Sequence, residues 1–221
     1  RNTPAFAMGA DAADLNRDGH DDFIVLDMLS RDHRQRNFQV DALPTSHHSP
    51  GDWAERPQFS RNSLFVGRGD GTFADIARLA GVAASEWAWT PLFLDVDLDG
   101  YEDLLISNGH EMDMMNADVA MQAEREKAKR PLISREVLEL RRLFHRFAAP
   151  KAAFRNLGNF AFADVSQAWG FDTVAVTQGL ALADLDGDGD LDVVANNLND
   201  APALYENLAT APRLAVRLKG R

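Results

Sequence analysis

Apolar residues in this chain come in short runs separated by polar, glycine-bearing turns. FIVL (23–26), LLI (104–106) and VVA (193–195) each follow an acidic segment and are too short for a buried helix, so each predicts a strand. Upstream of the same segments stand AFAMGADAAD, PLFLD and LALAD, which predict the first strand of a hairpin. NSLFVG and AAFRN predict a third strand. Each turns through Gly69–Gly71 or Gly158–Asn159 into a fourth, TFADIA or FAFADVS.

The pattern repeats. Residues 64–108 align without a gap to 153–197, superposing Phe65 on Phe154, Gly69 on Gly158, Phe73 on Phe162, Asp75 on Asp164, Gly81 on Gly170 and Asn108 on Asn197. Four short strands per unit, each sheet unable to bury its apolar face alone, point to an all-β fold of β-propeller blades. A β-sandwich is the alternative, and the unit is too long for a solenoid coil. The units divide as 1–83, 84–173 and 174–221. Propellers close with about four to eight blades, so some three blades predict an incomplete ring and a piece of a longer protein, whose remaining blades are partners of these.

Two stretches break the pattern. Residues 29–60 are polar, carry His33, His47, His48 and several prolines, and predict a long surface loop. Residues 111–150 predict a helical insert. AMQAEREKAKR is expected to be helical as far as Pro131. In the run from Ser134 to Phe147, Val137, Leu140, Phe144 and Phe147 fall at helical spacing, with Ser134 as N-cap and Pro150 past the end. Both inserts leave the sheet between its second and third strands. Such insertions often form a binding face, though a helix covering the sheet edge explains them as well.

With 45% hydrophobic residues the 221-residue chain can bury a core. No apolar run approaches the roughly 20 residues of a membrane span. No signal peptide is seen, but the chain opens with RNTPAFAMG inside a predicted strand, so a leader could precede it. A net charge of −11 argues against nucleic acid as a partner. The absence of cysteine excludes disulfides and thiol catalysis.

Much of the negative charge is concentrated in three segments: DLNRDGHDD (14–22), DVDLDGYED (95–103) and DLDGDGDLD (184–192). Carboxylates this close oppose each other's ionisation, so a cation is expected to neutralise them. In register they read D-x-[DN]-x-D-G-x-x-D. The candidate ligands are Asp14, Asn16, Asp18 and Asp22, then Asp95, Asp97, Asp99 and Asp103, then Asp184, Asp186, Asp188 and Asp192. Alternate spacing lets their oxygens converge. The shared glycine permits a sharp turn that swings the next carbonyl inward, that of His20, Tyr101 or Asp190. A hard cation with about six to eight oxygen ligands fits, and Ca²⁺ fits better than Mg²⁺, whose octahedral demand is stricter. About three Ca²⁺ sites are expected, which would bring the net charge to about −5. The loops open like an EF-hand, but loop position twelve is Val25, Ile106 or Ala195 where an EF-hand has glutamate, and a strand rather than a helix is predicted to follow. Weak calcium loops work where calcium is plentiful, which favours an exported protein.

These loops between strands resemble the FG-GAP/VCBS repeats of integrin α-like propellers. NSLFVGRGDGTFADIARLAGV, EWAWTPLFLDVDLDGYEDLLISNGH and FRNLGNFAFADVSQAWGF are similar to the repeats of the ASPIC/UnbV (cartilage acidic protein-like) family, and RLAVRLKG (213–220) resembles the opening of that family's C-terminal segment. The resemblance covers most of 6–110 and 151–221. It implies a seven-bladed, calcium-loaded propeller outside the cytoplasm, secreted or at the cell surface, that binds a protein or glycan ligand or serves cell adhesion without established chemistry. Asn16 departs mildly from that pattern, lowering charge without removing an oxygen.

Other features weigh less. Arg68-Gly69-Asp70 spells an adhesive tripeptide, yet the repeat itself calls for the glycine and aspartate of that turn. His33, His47 and His48 could hold a transition metal, but a proline-rich surface loop does not preorganise ligands. Trp87 and Trp89 alternate on a strand and share a face, which favours packing over a sugar-stacking platform. Catalysis has little support: no nucleophile elbow, zincin motif or phosphate loop is present, and metal-held aspartates are poor acids. The enzyme alternative is a polysaccharide lyase or hydrolase on a calcium-stabilised propeller scaffold.

Overall fold

A computed structural model describes residues 3–39, 58–212, 216, 218 and 219. All three predicted hairpins form. In blade I, Ala10–Ala13 pairs with Asp22–Val25, which pairs with Ser63–Gly67, which pairs with Phe73–Asp75, antiparallel throughout. Blade II repeats this order with Glu86–Leu94, Asp103–Asn108, Ala152–Asn156 and Phe162–Asp164. Met28–Leu29, leaving blade I, adds antiparallel to the start of the inner strand of blade II. Blade III has Thr177–Ala183, Asp192–Asn197 and Ala203–Tyr205 among the described residues.

The core lies between blades. Side chains alternate across a strand, so each second strand feeds two interfaces. Leu104 and Ile106 meet Ile24, Leu26 and Leu64 of blade I. Leu105, facing the other way, meets Val193 of blade III together with Ala153 and Phe171. Every residue of Asp103–Asn108 is therefore buried, and this is why the sequence shows a solid apolar run rather than alternation. Full burial of each leucine or isoleucine contributes about 1.5–3 kcal/mol. The inner strands stand side by side: Asp11 Oδ2 accepts from Phe93 N at 2.8 Å, and Thr90 Oγ1 donates to the Gln178 carbonyl at 2.7 Å. At Gly9 an added Cβ would lie 2.2 Å from the Trp89 carbonyl, so close approach of the first two blades requires glycine there.

The two inserts lie at the ends of the hairpins opposite the acidic loops, because each begins where a second strand finishes. Stretch 29–60 is not simply a loop. Its described part holds a helix, α1 (His33–Phe38), capped by Asp32, whose carboxylate accepts from Gln35 N, and a short strand, Gln58–Phe59, parallel to Thr3–Pro4. Six residues are too few to show helical periodicity in sequence. In the second insert α2 (Ala117–Lys129) ends as predicted before Pro131, with Asn116 as its cap. Helix α3 (Ser134–Leu140) is shorter than predicted: Ser134 is its first helical residue, after Ile133, and Arg141–Leu143 tighten into a 3₁₀ turn. Phe144 and Phe147 are not on the helix. Phe147 instead forms a bridge with His110, exchanging hydrogen bonds of 2.8 and 3.0 Å. The inserts touch through a Gln39–Asn116 bridge and a bond from Gln35 Nε2 to Asp113 Oδ2. Among the described residues no helix is long and apolar enough to cross a membrane.

Candidate metal sites

The acidic segments are the hairpin loops between first and second strands, and all three close in the same way. The first aspartate accepts from the amide of the shared glycine: Asp14 from Gly19 at 2.8 Å, Asp95 from Gly100 at 2.8 Å, Asp184 from Gly189 at 3.1 Å. The fifth-position aspartate accepts from the amide two residues on: Asp18 from His20, Asp99 from Tyr101, Asp188 from Asp190. The glycines take φ of +83, +91 and +97°, a region open to them at no steric cost. The fourth loop position is left-handed as well. It is filled by Arg17 (+60°), Leu98 (+57°) and Gly187 (+80°), so only the third loop meets that demand with glycine.

The ninth-position aspartates stand apart from the converging set. Asp22, Asp103 and Asp192 are buried and begin the second strand, each opposite the last residue of the first. One carboxylate oxygen accepts from the second loop residue (Leu15, Val96 or Leu185), the other from the last residue of the third strand or the second residue past it (Gly67, Asn156 or Asn207). They tie loop to sheet. Burial pushes the Asp103 carboxyl up to about 7, with the Asp97 and Asp99 charges adding to it, and burial likewise raises Asp22.

The first, third and fifth positions do come together. Ligand atoms of Asp95, Asp97 and Asp99 lie within 4.8 Å of one another, as do those of Asp184, Asp186 and Asp188. In the second loop Asp95 Oδ1 and Asp97 Oδ1 are buried and have no hydrogen-bond partner, an arrangement that is costly for a carboxylate unless a cation answers it. Burial, with the neighbouring Asp99 and Asp97 charges, raises Asp95. The donor set, all oxygen and strongly anionic, suits a hard divalent ion. The first loop differs: Asn16 Nδ2 donates to Asp18 Oδ2 at 2.8 Å, an internal bond that lowers the Asp18 carboxyl. In the third loop Asp190 is 4% exposed.

Sequence reasoning missed two cations at these loops. Arg155, on the third strand of blade II, pairs with Asp97 and Asp99. Arg17 of the first loop crosses to the second, its guanidinium 4.3 Å from the Tyr101 ring centre. Neither is part of a repeated motif, so spacing could not reveal them. Two side chains also tie a blade to the loop of the one before: Asn156 Nδ2 donates to the Leu15 carbonyl, and Asn207 Nδ2 to that of Val96.

The other candidates resolve plainly. Trp87 and Trp89 share a face as expected and stack on His110, with ring centres 4.2 and 5.7 Å apart, in a cluster with Met28 and Met115. Arg68-Gly69-Asp70 is an exposed turn whose Asp70 carboxylate is held by Thr72. His33 is exposed on α1, while His47, His48 and most of the 213–220 segment lie outside the described residues.

No curated protein matches this chain. Residues 53–106 match the family model of the FG-GAP-like repeat, a span running from blade I through the second acidic loop to the second strand of blade II. With the blade geometry around it, that match supports placing the chain among FG-GAP/VCBS repeat proteins: residues 53–106 are an FG-GAP-like repeat within a propeller-like, mostly β fold.

Proposed function

We propose that this chain is a calcium-binding propeller module that binds a protein or glycan ligand, or serves adhesion, outside the cytoplasm and without catalysis. The observation that carries the reading is the second loop, where three carboxylates converge around buried oxygens that no hydrogen bond satisfies. The ion would be held by Asp95, Asp97 and Asp99, by Asp184, Asp186 and Asp188 in the third loop, and by Asp14, Asn16 and Asp18 in the first. The carbonyls of Tyr101, Asp190 and His20 complete each set. The ninth-position aspartates orient the loops from behind. Bound metal would lock each hairpin and thereby the stacking of neighbouring blades, since Asn156 and Asn207 reach from one blade to the loop of the one before.

The ligand face in this reading is the insert face, where α1 and the α2–α3 segment meet away from the loops. Its exposed Met121, Ile133 and Leu138 favour contact with a partner over chemistry. The finer assignment to ASPIC/UnbV proteins rests on the motifs of the repeats. Calorimetric titration of the intact protein with calcium tests the metal reading. Uptake at about three sites is expected, with one site lost in Asp188→Ala, and no uptake overturns it. A glycan and protein panel tests the rest: saturable binding without turnover is expected, and turnover lost on changing insert residues would replace the module with an enzyme.

A further inference from the structure

The helical insert carries a charge opposite in sign to that of the protein as a whole. Residues 117–146 hold eight arginines and lysines against five aspartates and glutamates, in a chain whose net charge is −11. Helix α3 gathers this excess on its outer side. Glu136 and Leu140, four residues apart, turn inward and are partly buried, whereas Arg135, Val137, Leu138 and Arg141 are exposed. Arg141, just past the helix, keeps helical backbone angles (φ −63°, ψ −26°), so Arg135, Leu138 and Arg141 form one row at three-residue spacing with Val137 beside it. Leu138 is 57% exposed, Val137 40% and the capping Ile133 66%, a small apolar group flanked by cations. The acids of α3 are committed elsewhere: Glu136 pairs with Arg130 and Glu139 with Arg142. Arg135 and Arg141 form no ion pair among the described residues. Since a guanidinium keeps its proton at any ordinary pH, the row is a permanent pattern of charge, apolar group and charge, spanning about 9 Å.

We infer that α3 docks an acidic amphipathic helix of a protein partner, whose carboxylates meet Arg135 and Arg141 while an apolar side chain between them covers Leu138. The inference rests on the reading of the insert face as the ligand face and adds to it the chemistry of the partner. A helix carrying Glu-x-x-Leu-x-x-Glu presents the complementary row at the same rise per residue, so both ion pairs and the apolar contact form together. Charge complementarity of this kind fixes the register of the pair and speeds its encounter. A glycan gains little from the aliphatic Val137 and Leu138, which offer no flat ring to stack on. A bilayer or nucleic acid presents an extended anionic surface and meets the field of the acidic body, whereas a single helix meets the basic insert alone.

Fluorescence anisotropy of a labelled helical peptide that repeats the heptad Glu-Ala-Ala-Leu-Ala-Ala-Glu, titrated with the intact protein, tests this. Saturable binding is expected, weakening as salt screens the charges. Arg135→Glu combined with Arg141→Glu should lower the affinity about ten-fold or more, since two attractions become repulsions, and Leu138→Asp should lower it as well. The same peptide with lysine in place of glutamate should reverse the order and bind the double variant more tightly than wild type. That gain cannot come from a damaged fold, and circular dichroism of the variants checks the fold directly. No binding of the glutamate peptide by wild type, or binding indifferent to the reversals, overturns the inference. Binding of phosphatidylserine vesicles but not of the peptide, lost in the double variant, also overturns it and gives the row to a lipid surface. The parent reading fails separately: a ligand from the glycan and protein panel whose binding no insert variant changes removes the insert face as the ligand face, whereas one that other insert variants weaken keeps it.

Discussion

Asn156→Ala should cost this protein more stability than any other polar truncation of one atom group in blade II. Asn156 is 1% exposed and makes three side-chain bonds. Its Nδ2 donates to the Leu15 carbonyl at 3.1 Å and to the Glu102 carbonyl at 3.2 Å, and its Oδ1 accepts from Gly158 N at 3.0 Å. The first bond joins blade II to the loop of blade I, the second closes the second loop, and the third shapes the turn into the outer strand. Alanine removes all three and leaves two carbonyls without that donor. At about 1 kcal/mol per bond the loss is about 3 kcal/mol, a large part of a typical stability of roughly 5–15 kcal/mol. For a chain of this size that corresponds to a fall in melting temperature of about 6–12 °C. Calorimetry and urea unfolding in calcium-saturated buffer measure it. Asn207→Ala, which loses the equivalent bond to Val96 and one to Ala209 N from a less buried position, should cost less. If Asn156→Ala melts within about 2 °C of wild type, the side chain does not couple the blades and the account of the interface is wrong.

Three further outcomes are expected. Chelation with EDTA should lower the melting temperature and calcium restore it, each filled loop adding about 1.4 kcal/mol at roughly 1 mM calcium if its dissociation constant is about 10⁻⁴ M; identical melting curves would refute a structural role for the ion. Arg61→Ala should destabilise blade I by about 3 kcal/mol, because Arg61 and Asp75 form a nearly buried ion pair at 2.5 Å and the carboxylate would be left without it; denaturant midpoints check this. Burial raises the Asp27 carboxyl against the bonds it accepts from the Phe6 and Met28 amides. Its contribution is therefore fully present below its unfolded value near 3.9 and lost as pH rises through the folded one. The stability of Asp27→Asn relative to wild type should accordingly improve from about pH 4 to pH 7 in urea titrations, and a flat difference would refute the shift.

The hairpins, their glycine turns and the repeat were all legible in the chain, because each rests on contacts within about ten residues. An aspartate that binds the amide four or five positions on, or a glycine with left-handed φ, leaves its mark in spacing. The same holds for α2, long enough to show its cap and its stop. Other features depend on residues distant in sequence and left no periodic trace. The six-residue α1 is held by its Asp32 cap and by contact with the second insert. Phe144 and Phe147 match a helical spacing, yet Phe147 pairs with His110 instead, where the chain returns to the sheet.

The sequence by itself therefore determined the acidic loops, the strands around them and the all-β repeat, since short-range hydrogen bonding and side-chain alternation dictate those. Only the tertiary structure decided which carboxylates converge and which are held in the sheet. It seats Asp22, Asp103 and Asp192 in the sheet, where backbone amides claim both oxygens, and it brings Arg155 from 56 residues away onto Asp99. The physical reason is that a carboxylate's role depends on every donor within a few ångströms, and in stacked blades most of those donors come from other strands.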